Sequence, residues 1–238
     1  MRAIWITTVA LSLAFAAQAH APAVNPVAAK NEPHHHLVLE NEYVRVLRFE
    51  LSGHNATLLH AHDLPYVSVA LGPADFIDAV TGKPEAHVTL KDDQVVYSKG
   101  GFAHVVRTKA GARFQNFTVE LLKPQGAVRN LCVKVVADAP NGGCAVMACY
   151  PSPIELFETD EMRVVSVSIL PQKRQNGGVS RAPELYLVLD KSELTITIPG
   201  SGDKTLRAGE ALWLPAFAKA SLANPGTGLS QFLVLTFQ

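Results

Sequence analysis

The stretch Leu58-Leu59-His60-Ala61-His62-Asp63-Leu64-Pro65-Tyr66 decides how the rest of the chain is read. Residues two apart in a β-strand share a face, so His60 and His62 can aim both imidazoles at one point while Asp63 turns away. Imidazole is the commonest protein ligand for Zn, Fe, Ni and Cu, and a single strand cannot complete such a site. A third donor must come from elsewhere. His104, in Gly100-Gly101-Phe102-Ala103-His104-Val105-Val106, is the best candidate, with Gly101 leaving room for close approach. A His-x-His pair also arises by chance, with side chains bonded only to one another or to water, so its meaning depends on its surroundings.

Outward from this pair, short β-branched runs alternate with turns. Strands are predicted near residues 43–51, 66–71, 86–90, 94–97, 104–108 and 114–122, separated by turns such as Ser52-Gly53, Thr81-Gly82-Lys83-Pro84 and Lys109-Ala110-Gly111. The series resumes near 162–170, 184–189, 194–198, 211–214 and 231–237. Beyond residue 20 no stretch sustains helical periodicity. Many short strands at this spacing indicate an all-β sandwich or barrel.

The chain also repeats itself. Glu40-Asn41-Glu42-Tyr43-Val44-Arg45-Val46-Leu47 returns as Glu158-Thr159-Asp160-Glu161-Met162-Arg163-Val164-Val165, a shift of 118 residues. That shift carries His60 and His62 onto Gly178 and Ser180, and Tyr66 onto Glu184. Further on, Leu90-Lys91-Asp92-Asp93-Gln94-Val95-Val96 matches Leu206-Arg207-Ala208-Gly209-Glu210-Ala211-Leu212 at a shift of 116, which places Lys99 on Pro215, His104 on Ala220 and Thr108 on Asn224.

These residues resemble the cupin family. Its first motif runs Gly, a spacer, His-x-His, a short gap, Glu, a spacer, Gly; here it becomes Gly53, His60-x-His62, Tyr66 in the place of the Glu, and Gly72. Its second, Pro-x-Gly-x-x-His-x-x-x-Asn, aligns with Lys99-x-Gly101-x-x-His104-x-x-x-Thr108. The second half has the opposite losses, keeping Glu184, Pro215 and Asn224 and no histidine of the three. The resemblance implies two tandem cupin jelly-roll (double-stranded β-helix) barrels. The N-terminal barrel would span 37–124 and carry a metal site of His60, His62 and His104; the C-terminal barrel, 154–238, would be degenerate and metal-free, with Gly178, Ser180 and Ala220 lining its vacant counterpart.

Composition bounds the rest. Hydrophobic residues make up 48% and charged residues 18%, enough to bury a sizeable core. The formal charge is balanced, with no basic run, so nucleic-acid binding has no electrostatic support. Residues 1–19 read as a signal peptide: Arg2, an apolar run from Ala3 to Ala16, and Ala17-Gln18-Ala19 as a small-x-small cleavage site. An uncleaved anchor is the alternative, but the run is short of the about 20 residues of a transmembrane helix. The mature chain is therefore expected in the periplasm or secreted, with no stable membrane insertion after processing. Residues 20–36, rich in Ala and Pro and ending in His34-His35-His36, read as an extended, poorly ordered arm, the three histidines solvated rather than a metal-capture device. Residues 125–153 read as a linker holding Cys132, Cys144 and Cys149. An oxidising compartment favours a disulfide, Cys132–Cys144 first and Cys144–Cys149 second, the alternative being three reduced thiols.

Two functions follow from the resemblance. One is a metal-dependent oxygenase or isomerase acting on a small chelating molecule. Its cofactor would be one divalent transition metal (Fe, Mn, Ni or Zn), with Tyr66 and Arg107 as polar helpers in catalysis. The other is a non-catalytic metal or small-ligand binding protein. Without the family Glu, a divalent ion held by neutral imidazoles keeps its full charge and favours an anionic partner. His54 and His87, beside turns, read as surface residues, and Arg45 and Arg163, at equivalent repeat positions, as structural. The oligomeric state is not legible in the sequence.

Overall fold

In the computed structural model the described residues are 25–130, 153–189 and 191–238. The proposed signal peptide and the three cysteines lie outside them, as does most of the expected linker. The first half contains β1 (Val27–Ala28), a 3-10 turn (Ala29–Asn31), β2 (His35–Glu40), β3 (Val44–Ser52), β4 (His60–His62) and β5 (Tyr66–Ala70). It continues with β6 (Ala74–Val80), β7 (Ala86–Leu90), β8 (Val95–Ser98), β9 (Phe102–Thr108) and β10 (Arg113–Leu121). After β11 (Arg129–Asn130) come β12 (Ile154–Glu158), β13 (Met162–Ile169), β14 (Arg174–Val179), β15 (Glu184–Val188) and β16 (Glu193–Ile198). The chain closes with β17 (Gly202–Arg207), β18 (Ala211–Leu214), β19 (Lys219–Ala223) and β20 (Ser230–Phe237). Among the described residues no helix is long and apolar enough to cross a membrane.

Each half is two sheets facing one another. Sheets β1-β4-β9-β6-β7 and β2-β3-β10-β5-β8 form the first barrel, and β11-β12-β13-β20-β15-β18 and β14-β19-β16-β17 the second. The repeat holds at the level of strand register. Leu121 pairs Val44 as Phe237 pairs Met162, and Glu120 pairs Tyr66 as Thr236 pairs Glu184. His60 pairs His104, and β14, which carries Gly178, pairs with β19, which carries Ala220, with a break in register between Asn176 and Val179.

Alternation divides the strands between two cores. On β3, β5 and β10, Val44, Val46, Val67, Val69, Phe117 and Val119 face the second barrel. They meet Leu185, Leu187, Leu233 and Leu235 in one cluster that spans both halves. Tyr43 and Trp213 join its edge, their rings 5.5 Å apart. The other phase faces inward. In the second barrel it builds an apolar filling that includes Val167, Ile196, Leu222, Phe232 and Ala220. The first barrel has only a smaller cluster around Phe49, Phe76, Val106 and Phe114, and the rest of its interior is polar.

Two expectations change here. Residues 25–36 are built into the first barrel: β1 runs parallel to β4, with Val27 beside His60, and Ala29 and Glu32 are buried. And at the place of the expected counterpart site Ala220 packs in the apolar filling, while Ser180 donates its hydroxyl to the Ala182 carbonyl at 2.8 Å.

Since the shared cluster belongs to both halves, truncating it destabilises both. Phe117→Ala, at a fully buried position, is expected to cost about 3–5 kcal/mol. Denaturant unfolding followed by tryptophan fluorescence and by circular dichroism should keep one coincident transition at a lower midpoint. Two separated transitions in the wild-type chain would contradict this coupling.

Candidate metal centre

The pairing of β4 with β9 places His60 directly opposite His104, and alternation puts His62 on the same inward face. All three are buried. Their ring centroids lie 5.1 Å apart for His60–His62, 4.5 Å for His60–His104 and 5.2 Å for His62–His104. They open on a cavity of about 1520 Å³ lined mostly by first-barrel residues and, at its far side, by second-half residues such as Leu156 and Leu233. The turn before β9 depends on Gly100, at φ +68°, where a Cβ would fall 2.2 Å from the Leu64 carbonyl oxygen.

The hydrogen bonds fix which nitrogens carry lone pairs. His60 Nδ1 lies 3.0 Å from the Leu58 carbonyl oxygen, which can only accept, so this nitrogen is the N–H. His104 Nδ1 likewise donates to the Asp78 carboxylate at 2.7 Å. In the neutral rings both Nε2 atoms are then lone pairs, and they face one another at 3.0 Å. Two lone pairs at that distance repel unless a cation lies between them. Donors bound to one metal at 2.0–2.1 Å sit roughly 2.9–3.4 Å apart, between right-angled and tetrahedral geometry. The donor set therefore fits a metal ion. His62 adds a further unmet demand, since its Nδ1 is buried with no hydrogen-bond partner.

Burial, the largest cause, depresses both strand histidines: His60 is held at about 4 and His62 at about 2, with neighbouring imidazoles adding to the effect. Both rings are thus neutral donors at ordinary pH.

A residue taken for a solvated one joins them. His35 is buried, its ring 5.1 Å from that of His60 and 5.8 Å from that of His62, and His35, His60 and His62 each offer a nitrogen within 4.8 Å of the others. Its Nδ1 donates to Glu32 Oε2 at 3.1 Å. Burial alone would raise the Glu32 carboxyl, but hydrogen bonds from His35 and His34 outweigh it and hold the group at about 2. Two carboxylates, Glu32 and Asp78, thus grip the outer nitrogens of His35 and His104, the arrangement that fixes tautomer and ring orientation in metal sites. They also offset charge that the sequence reading left uncompensated.

Tyr66 lines the same cavity, its ring 4.6 Å from that of His62. Burial pushes its hydroxyl up to about 12, against the lowering effect of a hydrogen bond with Ser98, so it stays a proton donor. Arg107 is not in the site. It falls on the outer face of β9, out of phase with His104, and pairs with Glu85 at 2.6 Å on the surface. His87 is exposed and bonded to Asp75, Asp63 is exposed, and Arg45 bridges Glu40 and Glu120, all as the sequence suggested. Glu32, His35 and Asp78 were missed. Asp78 carried a signal, lying in phase with Phe76 and Val80 in a strand-like run.

No protein-family profile matches the chain, and no curated protein sequence does. Solved structures do. The chain superposes on AerE from Microcystis aeruginosa with a TM-score of 0.57 at 10% identity, covering 87% of this chain and 98% of that one. A cupin 2 conserved barrel domain protein from Leptotrichia buccalis gives 0.53 at 10% identity over 90% and 92%. The fold is that of the cupins. A variant of salicylate 1,2-dioxygenase from Pseudoaminobacter salicylatoxidans, in complex with gentisate, gives 0.57 at 9% identity over 82% and 69%. Identities this low establish the tandem jelly-roll architecture and nothing finer.

The buried imidazoles set a pH dependence. In the unfolded chain His60 and His62 take up protons as pH falls through about 6.5. In the folded chain they resist until about 4 and about 2. Protons therefore favour the unfolded state across that window, and the metal-free protein should lose stability as pH drops from 7 toward 4. The melting temperature should fall over this range, and fall less steeply in His62→Gln. Equal slopes for the two proteins would contradict burial of a neutral His62.

Proposed function

We propose that this is an exported metal-binding protein of the cupin fold. Its first barrel holds one divalent transition metal (Fe, Mn, Ni or Zn) through His60, His62 and His104 and presents it to a small, anionic chelating molecule. The observation that carries this reading is the pair of Nε2 atoms of His60 and His104, facing each other at 3.0 Å beside the unpartnered Nδ1 of His62. Such an ion, when bound, supplies Lewis-acid polarisation and, if redox-active, an O₂-handling centre.

The residues of the chain do the remaining work. Leu58 and Asp78 hold the imidazoles with their lone pairs turned inward. Tyr66, kept protonated, donates a hydrogen bond to an oxygen or sulfur of a ligand beside His62. Phe76 and Phe114, stacked at 4.3 Å, supply an apolar wall to the cavity. An oxygenase or isomerase acting on a diketone, thiol or phenol fits this setting.

A second reading, a binding protein without turnover, is favoured by one observation. The best-placed acid–base groups are committed: Asp78 is bonded to His104, and Tyr66 is a donor rather than a base. Oxygen uptake separates the two. Fe(II)-loaded protein given a diketone, a thiol or a catechol should consume O₂, and Zn-loaded protein should not. His104→Ala should abolish both metal and chelator binding. Tight chelator binding with no O₂ uptake in any metal form would leave the binding protein as the function. Chelator binding that persists in His104→Ala would overturn the site.

A further inference from the structure

We propose that His35 is a fourth ligand of the metal, so that the N-terminal segment 25–40 is part of the centre rather than an appendage to it. This rests on the metal reading above and extends it to residues outside both barrel motifs.

Three observations lead there. The first is placement: His35 Nδ1 is engaged by Glu32, so its lone pair is on Nε2, and its ring borders those of both His60 and His62. Nitrogens of these three residues lie within 4.8 Å of one another. Opposite ligands on one ion at about 2.1 Å are about 4.2 Å apart, so little contraction is needed.

The second is Glu32. Its side chain is fully buried, and such a carboxylate is costly unless every oxygen is bonded. Oε1 accepts from His34 Nδ1 at 2.9 Å and from the Leu58 amide at 3.3 Å, and Oε2 accepts from the His34 amide at 2.8 Å and from His35 Nδ1 at 3.1 Å. A buried anion that holds the imidazoles of His34 and His35 and the backbone beside His60 has no role in solvating a loose arm. It has one in raising the basicity of a ligand and offsetting the charge of an ion.

The third is the backbone clamp. Val27 donates its amide to the Leu59 carbonyl at 3.0 Å, and β1 runs beside β4 from His60 to Ala61. The segment therefore fixes the strand that carries His60 as well as supplying His35. Four imidazoles leave an octahedral ion two open positions, enough for one bidentate chelator.

X-ray absorption at the zinc edge of the Zn-loaded full-length chain counts imidazoles, and competition with a chromogenic chelator gives affinity. Four imidazoles are expected in the wild type and three in His35→Gln, which keeps a hydrogen-bonding group for Glu32. His35→Gln should also bind zinc more weakly than Glu32→Gln, for which a loss of about 10–100-fold at an unchanged count of four is expected. Wild-type protein with three imidazoles, and unchanged count and affinity in His35→Gln, would overturn this assignment alone. Wild-type protein that takes up no zinc would overturn it together with the metal reading.

Discussion

The Nε2 atoms of His60 and His104 face each other at 3.0 Å inside the first barrel, lone pair to lone pair when both rings are neutral, and much of the local structure keeps them there. Antiparallel pairing of β4 and β9 sets the two residues opposite, and Gly100 admits the turn that brings β9 in. The Leu58 carbonyl and the Asp78 carboxylate accept from the other ring nitrogens and so bar either ring from relieving the repulsion by a tautomeric switch. Burial also disfavours relief by protonation of His60, which it holds at about 4. A metal ion shared by the two nitrogens would relieve that repulsion.

Such an interior is costly to the barrel that contains it, because polar groups take the place of apolar filling. The arrangement of the cores offsets this. The outward faces of β3, β5 and β10 bury a large apolar cluster against the second barrel, so the first barrel depends less on its own interior. The second barrel has the reverse design: Ala220 and Leu222 on β19 belong to an apolar filling where the first barrel has His104 and Val106 on β9. One half holds the cluster of buried histidines and the other an apolar filling.

The fold and half of the site could be read from sequence because both rest on local period and on the repeat. Alternation put His60 and His62 on one face, and the shifts of 118 and 116 residues reappear as matching strand registers. The same alternation, applied to β9, excludes Arg107, which is out of phase with His104. His35 was beyond that reach. Three consecutive histidines after a proline look solvated, and only the non-local docking of residues 25–36 on β4 and the burial of Glu32 turn one of them inward. Glu32 and Asp78 were out of reach for the same reason, since each meets its histidine only through contacts that strand alternation cannot place.

The central claim is that this cavity holds a metal ion, and elemental analysis of the full-length chain, purified without chelators and offered Fe, Mn, Ni and Zn in turn, tests it directly. The account predicts one ion per chain with at least one of these metals, retained through gel filtration and absent from the His60→Ala, His62→Ala double variant. Protein that retains well under one ion per chain with every metal, or as much metal in the double variant as in the wild type, would contradict it.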